Sequence, residues 1–222
     1  MELQDAINQR HSIRQFTDKP VEKKMITKIV ELAQRAPSWV NSQPWQVYCA
    51  MGDTLQEIKN AYRDQDIAGN QGNSDLPVMS REDWAPQTQD NMKQWRHGIV
   101  HHFANFDEAH EKMTNASNTL YDSPVILYIT IPKASPDWSI FDAGLFAENI
   151  MLAATAYGLG TIPTYNSVRF PAILHQTLDV PDDERFIVGI SLGYSADTTI
   201  NIYHSERRPV NEILHFNQRE RL

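Results

Sequence analysis

The 222 residues carry a formal charge of −8, from 28 acidic against 20 basic side chains, and 41% of them are apolar. That balance allows a real core for one sizeable domain and argues against nucleic acid or an anionic membrane as the main partner, since both select for clustered Lys and Arg. The single cysteine, Cys49, excludes an internal disulfide and a cysteine-based metal cage, and the longest apolar run, VILYITI at residues 125–131, is far too short to span a bilayer; with no export segment in view, cytoplasmic residence is expected.

In chain order, Leu3, Ala6, Ile7 and Arg10 share one helical face, so a first helix would deliver Arg10 and the following HSIRQF to the surface or to a site, with Phe16 as an anchor. A second helix begins near Pro20, repeats apolar residues from Met25 to Ala36 and stops at Pro37. Residues 45–51, WQVYCAM, alternate as a strand, and DTLQEIKNAY at residues 53–62 reads as a short amphipathic helix. Residues 63–117 are polar and irregular, carry Trp84, Trp95, Phe103 and Phe106, and read as a divergent insertion with one or two helices. SPVILYITIP at residues 123–132 suits a strand buried on both faces, residues 137–160 form a long core helix ending at Gly158 or Gly160, and RFIVGISLGY at residues 185–194 is a second buried strand. The expected fold is α+β, one domain over residues 1–222 with a small sheet flanked by helices.

Three stretches could carry chemistry. RHSIR at residues 10–14 offers two arginines and a serine, a phosphate cradle that gains force from a second basic pair in ERRP at residues 206–209. RAPSWVNSQPW at residues 35–45 is an irregular connection whose Ser38 and Asn41 can orient a polar ring edge, while Trp45 reads as core. GLGTIPTYN at residues 158–166 follows the core helix, turns with a proline inside, and would leave main-chain N–H groups free to face a ligand.

Two other motifs suggest different chemistry. GISLG at residues 189–193 matches a serine-hydrolase elbow, yet no helical stripe follows Ser191 and only Asp197, His204 and His215 remain downstream as partners. His97 and His101 stand at i and i+4 and could bind a metal with Asp107 or Glu108, but an exposed helix in the insertion is the plainer reading, and no functional metal site is expected.

Taken in order, RHSIRQF, APSWVNSQPW, YDSPVILYIT, DAGLFAENIMLAATAYGLGTIP and ISLGY followed by ERRP resemble the FMN-dependent nitroreductase family, over nearly the whole chain except residues 63–117. The resemblance implies an intertwined, obligate homodimer of α+β subunits with two FMN sites in the interface. It also implies NADH or NADPH as reductant and a ping-pong cycle on nitroaromatics, quinones or related electron-poor acceptors. On that likeness, phosphate and ribityl contacts fall on Arg10, His11, Ser12, Arg14 and Arg207. The second subunit would supply Pro37, Ser38, Trp39 and Asn41. Pro163 and Thr164 would lie against the ring, with the backbone N–H of Tyr165 near flavin N5. Some members carry an acidic residue and a glycine where this chain has Tyr165 and Asn166, which leaves the backbone contact intact and changes the side chains around it. Hydride transfer belongs to the flavin, so no general-base dyad or nucleophile is needed among the side chains. The insertion, with its four aromatics, is expected to act as a lid that sets acceptor choice, the alternative being ordinary dimer packing by the same residues. The alternatives are a noncatalytic flavin-binding protein and the serine hydrolase.

Overall fold

The structure, a computed structural model, describes residues 1–217. Helices α1 (Leu3–Gln9) and α2 (Lys23–Ala33) precede strand β1 (Gln46–Met51), and helices α3 (Gly52–Ile67), α4 (Pro86–Val100) and α5 (Phe106–Asn118) separate it from β2 (Val125–Pro132). Helix α6 (Asp137–Ala156), strand β3 (Gly160–Thr164), helix α7 (Pro171–Leu178), strand β4 (Glu184–Gly193) and the short α8 (Thr199–Ile202) complete the order. The four strands form one antiparallel sheet in the order β1-β2-β4-β3.

The unbroken apolar run of β2 follows from a sheet covered on both faces. Val125, Leu127, Ile129 and Ile131 point into one core with Ile26 and Ile29 of α2 and Phe146 and Ile150 of α6. Ile126 and Tyr128 point into the other, with Ile58 and Tyr62 of α3 and Leu174 of α7. The strand's two-residue alternation thus feeds two cores, and nothing in β2 before Pro132 needs to be polar for solvent. Trp45 is buried, as expected, and stacks on Phe146 with ring centroids 4.7 Å apart and planes 4° apart. Helix α6 is closed by Gly158 at φ +77, which lets the Leu159 N–H return to the Ala154 carbonyl.

Two expectations need correction. Helix α3 runs to Ile67, beyond the span read from its apolar positions, because its last turn carries Asp66, an ion-pair partner of Arg169 at 2.5 Å. The GLGTIPTYN stretch is largely strand β3, a short edge strand in which Pro163 is tolerated, so most of its backbone is paired. Of α1 only Ala6 is buried, and Leu3 and Ile7 are exposed.

Truncating the stacked core ring gives a direct check. Phe146→Ala is expected to lower the unfolding free energy by about 3–5 kcal/mol, read from a shifted urea midpoint at unchanged slope. A loss below about 1 kcal/mol would mean the α6 face against the sheet does not hold the domain together.

Candidate functional site

The segment from Arg10 to Thr17 is a strap laid along the free edge of β3 and past the end of β4. Ser12 bridges Thr161 in parallel, the Ile13 N–H donates to the Thr161 carbonyl at 3.0 Å, and the Thr17 N–H donates to the Tyr194 carbonyl at 2.9 Å. The close approach requires Gly160, where a Cβ would stand 2.5 Å from Ile13 Cγ1. Asn201 clasps the strap from the far end of the chain. Its Oδ1 accepts from the Arg14 and Gln15 N–H groups at 2.7 and 3.1 Å, and its Nδ2 donates to the carbonyls of Gln15 and Ala196 at 2.7 and 2.9 Å. Nothing around Asn201 in the sequence marks it, and residue reading missed it.

Arg14, held by that clasp, is 7% exposed. Its guanidinium makes one hydrogen bond, from Nη1 to the Ser12 carbonyl at 3.2 Å, and lies 5.7 Å from the Trp95 ring centroid. It forms no ion pair with a carboxylate among the described residues. Burial pushes its pKa down, while the nearby phenols of Tyr121 and Tyr203 act in the other direction. Burial likewise raises the Tyr203 phenol, and both Arg14 and Arg207 are near enough to oppose that rise, so the two arginines expected at the site share one neighbour. Arg207 is posted by its own loop, with Nη1 donating to the Ser205 carbonyl, the Ser205 Oγ and the Glu206 carbonyl at 2.8, 2.9 and 3.0 Å. A cavity of about 420 Å³ runs between Trp95, Tyr203 and Arg207.

Ile13 and Phe16 of the strap are buried beside Arg14, while Arg10, His11 and Ser12 are partly exposed. Arg10 Nε stands 3.5 Å from Glu148 of α6, and the His11 ring stacks on His204 at 3.8 Å. Burial and the neighbouring His11 hold the His204 pKa below the ordinary imidazole value. Beside the strap, β3 ends at Thr164, whose buried Oγ1 meets the Ser167 hydroxyl. The Tyr165 N–H has no acceptor among the described residues, and its ring is half exposed. Asn166 ties this corner to the insertion by donating from Nδ2 to the Ser117 carbonyl of α5 at 2.6 Å.

The loop from Pro37 to Gln43 stands apart. Val40, Asn41 and Gln43 have φ of 49, 57 and 46, a left-handed backbone that non-glycine residues adopt only when their surroundings fix it. Here the Trp39 N–H donates to buried Asp142 of α6 at 3.0 Å, and the Gln43 N–H to Ser38 Oγ at 2.9 Å. The loop is ordered yet presents Trp39 and Val40 to solvent at 60% and 87% exposure, continuous with Trp138 and Phe141 of α6. No hydrogen bond joins it to the strap among the described residues.

Neither competing motif forms a site. Ser191 is wholly buried in the middle of β4, paired with Ile126 on one side and Ile162 on the other, where no elbow can expose a nucleophile. Of its candidate partners, His204 is stacked on His11. Among the described residues no three His, Cys, Asp or Glu side chains stand together to hold a metal, and His102 packs near Tyr203 instead.

A small antiparallel sheet carrying a basic strap on its edge and an ordered apolar loop on its flank defines an α+β protein. The Nitroreductase family matches residues 7–194, and the chain belongs to it. It is 28% identical over 215 residues to a 4-nitrobenzoate reductase of Pseudomonas putida, covering 95% of this chain and 93% of that protein. It is 30% identical over 200 residues to a chloronitrobenzene nitroreductase of Comamonas testosteroni, covering 87% and 86%. In fold it is similar to the FMN and NADPH-dependent nitroreductase NfnB from Sphigopyxis sp. strain HMH, with a TM-score of 0.89, 21% identity and coverage of 98% of this chain and 100% of that one. The expected family and α+β fold are met.

Because Asn201 answers two strap N–H groups at once, Asn201→Ala should lower stability by about 1–3 kcal/mol and speed hydrogen exchange at the Arg14 and Gln15 amides above the rest of the chain. Unchanged protection at those two amides would show that the strap is held by something else.

Proposed function

We propose that the protein is an FMN-dependent oxidoreductase that takes electrons from NADH or NADPH and reduces nitroaromatics, quinones or related electron-poor acceptors in a ping-pong cycle. The observation that carries this reading is Arg14: a buried guanidinium with no carboxylate partner among the described residues suits an anionic ligand. FMN fits the residues present. Arg10, His11, Ser12, Arg14 and Arg207 would hold its phosphate and ribityl chain, Pro163 and Thr164 would lie against its ring, and the unengaged Tyr165 N–H would meet its polar edge. When bound, FMN supplies the two-electron chemistry between reductant and acceptor. The net change for a nitro acceptor is R–NO₂ + NAD(P)H + H⁺ → R–NO + NAD(P)⁺ + H₂O. The chain's own part is to neutralise phosphate, orient the ring edge and exclude water.

In the same reading the protein works as a homodimer in the cytoplasm, with Pro37, Ser38, Trp39 and Asn41 of each subunit covering the other's cofactor. Support comes from the ordered loop and its exposed apolar continuation on α6, surface that an isolated subunit leaves in water. The free, unpaired Cys49 suits a reducing compartment, and among the described residues no helix is long and apolar enough to cross a membrane. Residues 63–117, which hold α4 and α5, form a lid-like insertion of this one domain, and Trp95, Phe103 and Phe106 border the cavities beside Arg14.

The test is to load the purified protein with FMN, add NADH or NADPH anaerobically, and follow the flavin band before and after an acceptor. Bleaching by reductant and recovery with nitrobenzene or benzoquinone is expected. A flavin inert to both would identify a noncatalytic flavin-binding protein, and no uptake of FMN would overturn the reading. In the same titration, Arg14→Ala and Arg207→Ala should each weaken FMN binding by about one to two decades, the size of a lost charge-assisted contact. An unchanged dissociation constant in both would reject the assignment of these arginines.

A further inference from the structure

The insertion encloses a cavity of about 450 Å³ between α4 and α5. Its apolar wall includes the rings of Trp95, Phe106 and Tyr121, and its rim carries Arg81, Arg96 and His110. No Asp or Glu lines it. In a chain of net charge −8 that is a local reversal, since most of the surface repels anions. Neither Arg81 nor Arg96 forms an ion pair among the described residues, so both guanidinium forks are unspent. His110 is braced by Phe106, with near-parallel rings 5.9 Å apart.

The cavity adjoins the buried arginine and also the corner proposed for the flavin ring, since Ser117 of its lining accepts at its carbonyl from Asn166, the neighbour of Tyr165. Trp95 lines it and also faces Arg14, and the Tyr121 phenol lies in the field of the same guanidinium. Tyr121 is set there by a run of left-handed backbone, Leu120, Tyr121 and Asp122 at φ 50, 64 and 51, a conformation kept only where packing dictates it.

Resting on the reading of the protein as a flavin oxidoreductase, we propose that this cavity selects aromatic acceptors bearing a carboxylate, with the ring between Trp95 and Phe106 and the carboxylate on Arg96 and Arg81. A planar guanidinium matches a carboxylate bidentately, and flat aromatic walls suit a ring whose far end must reach the flavin. The rim is open to solvent, so the contribution is moderate and screened by salt. A competing anion of the cycle, the 2′-phosphate that distinguishes NADPH from NADH, is separable from the carboxylate by experiment.

The test compares kcat/KM for 4-nitrobenzoate with that for its neutral counterpart 4-nitrobenzamide on the FMN-loaded protein. The carboxylate should be preferred by about 5- to 30-fold. The ratio should collapse toward unity in Arg96→Gln and Arg81→Gln and in high salt, and persist in Lys93→Gln, which removes a cation of α4 outside the lining. Calorimetry with benzoate and benzamide, neither of which can be reduced, should show the same preference and the same loss. Equal handling of the carboxylate and amide partners would overturn the proposal, as would arginine variants that change the NADPH-to-NADH ratio and leave the acceptor ratio alone. A flavin that turns over a quinone without carboxylate preference would sink this inference and leave the proposed function standing. A protein that takes up no FMN would sink the function, while the benzoate and benzamide titration still decides the cavity.

Discussion

A guanidinium buried with no carboxylate partner among the described residues is the constraint around which the rest of the site is arranged. Removing a cation from water is costly, and Arg14 has only one backbone carbonyl and neighbouring aromatic and phenol groups to offset it. The position is retained because the strap is pinned on two sides, by Thr161 of the sheet edge and by Asn201 from the end of the chain. Trp95 and Tyr203 close over it, and Gly98 lets α4 come in, since a Cβ there would stand 2.5 Å from the Tyr203 hydroxyl. A site that is costly when empty gains most from an anionic ligand, which links the packing of the strap to the cofactor it is proposed to hold.

The sheet and α6 supply the rigidity this arrangement needs. With β2 buried on both faces and Phe146 stacked under Trp45, the β3 edge and the loop after Pro37 are fixed from behind by one packed layer. Helix α6 serves both parts of the site, receiving Arg10 on Glu148 and the Trp39 N–H on Asp142. Two features with no hydrogen bond between them among the described residues are therefore held in a fixed relation by the same helix, the geometry that the proposed sharing of a cofactor between subunits would use.

Much of this was legible in the sequence. The proline-bounded apolar run of β2, the apolar run of β4, and a helix apolar nearly all round are strong signals because burial on every side leaves no polar face to confuse the period. RHSIR and ERRP were legible as basic stretches by residue type. Strand β3 was not, because five residues with a proline carry the marks of a turn, and an edge position is what makes that proline acceptable. Nor were the burial of Arg14 and the role of Asn201, which meet across nearly the full length of the chain. The elbow-like GISLG matched a motif whose meaning depends on lying at a strand end, whereas Ser191 is a strand's interior. Asn166, where some family members carry a glycine, has a local purpose in tying the segment after β3 to α5.

The most direct measurement is a crystal structure of the protein grown with FMN. The account predicts one FMN per subunit, its phosphate and ribityl chain on Arg14 and Arg207 of one copy, its ring edge at the Tyr165 N–H, and its open face covered by residues 37–41 of the second copy. FMN held entirely within one subunit away from Arg14, or a monomer with full flavin occupancy, would contradict it.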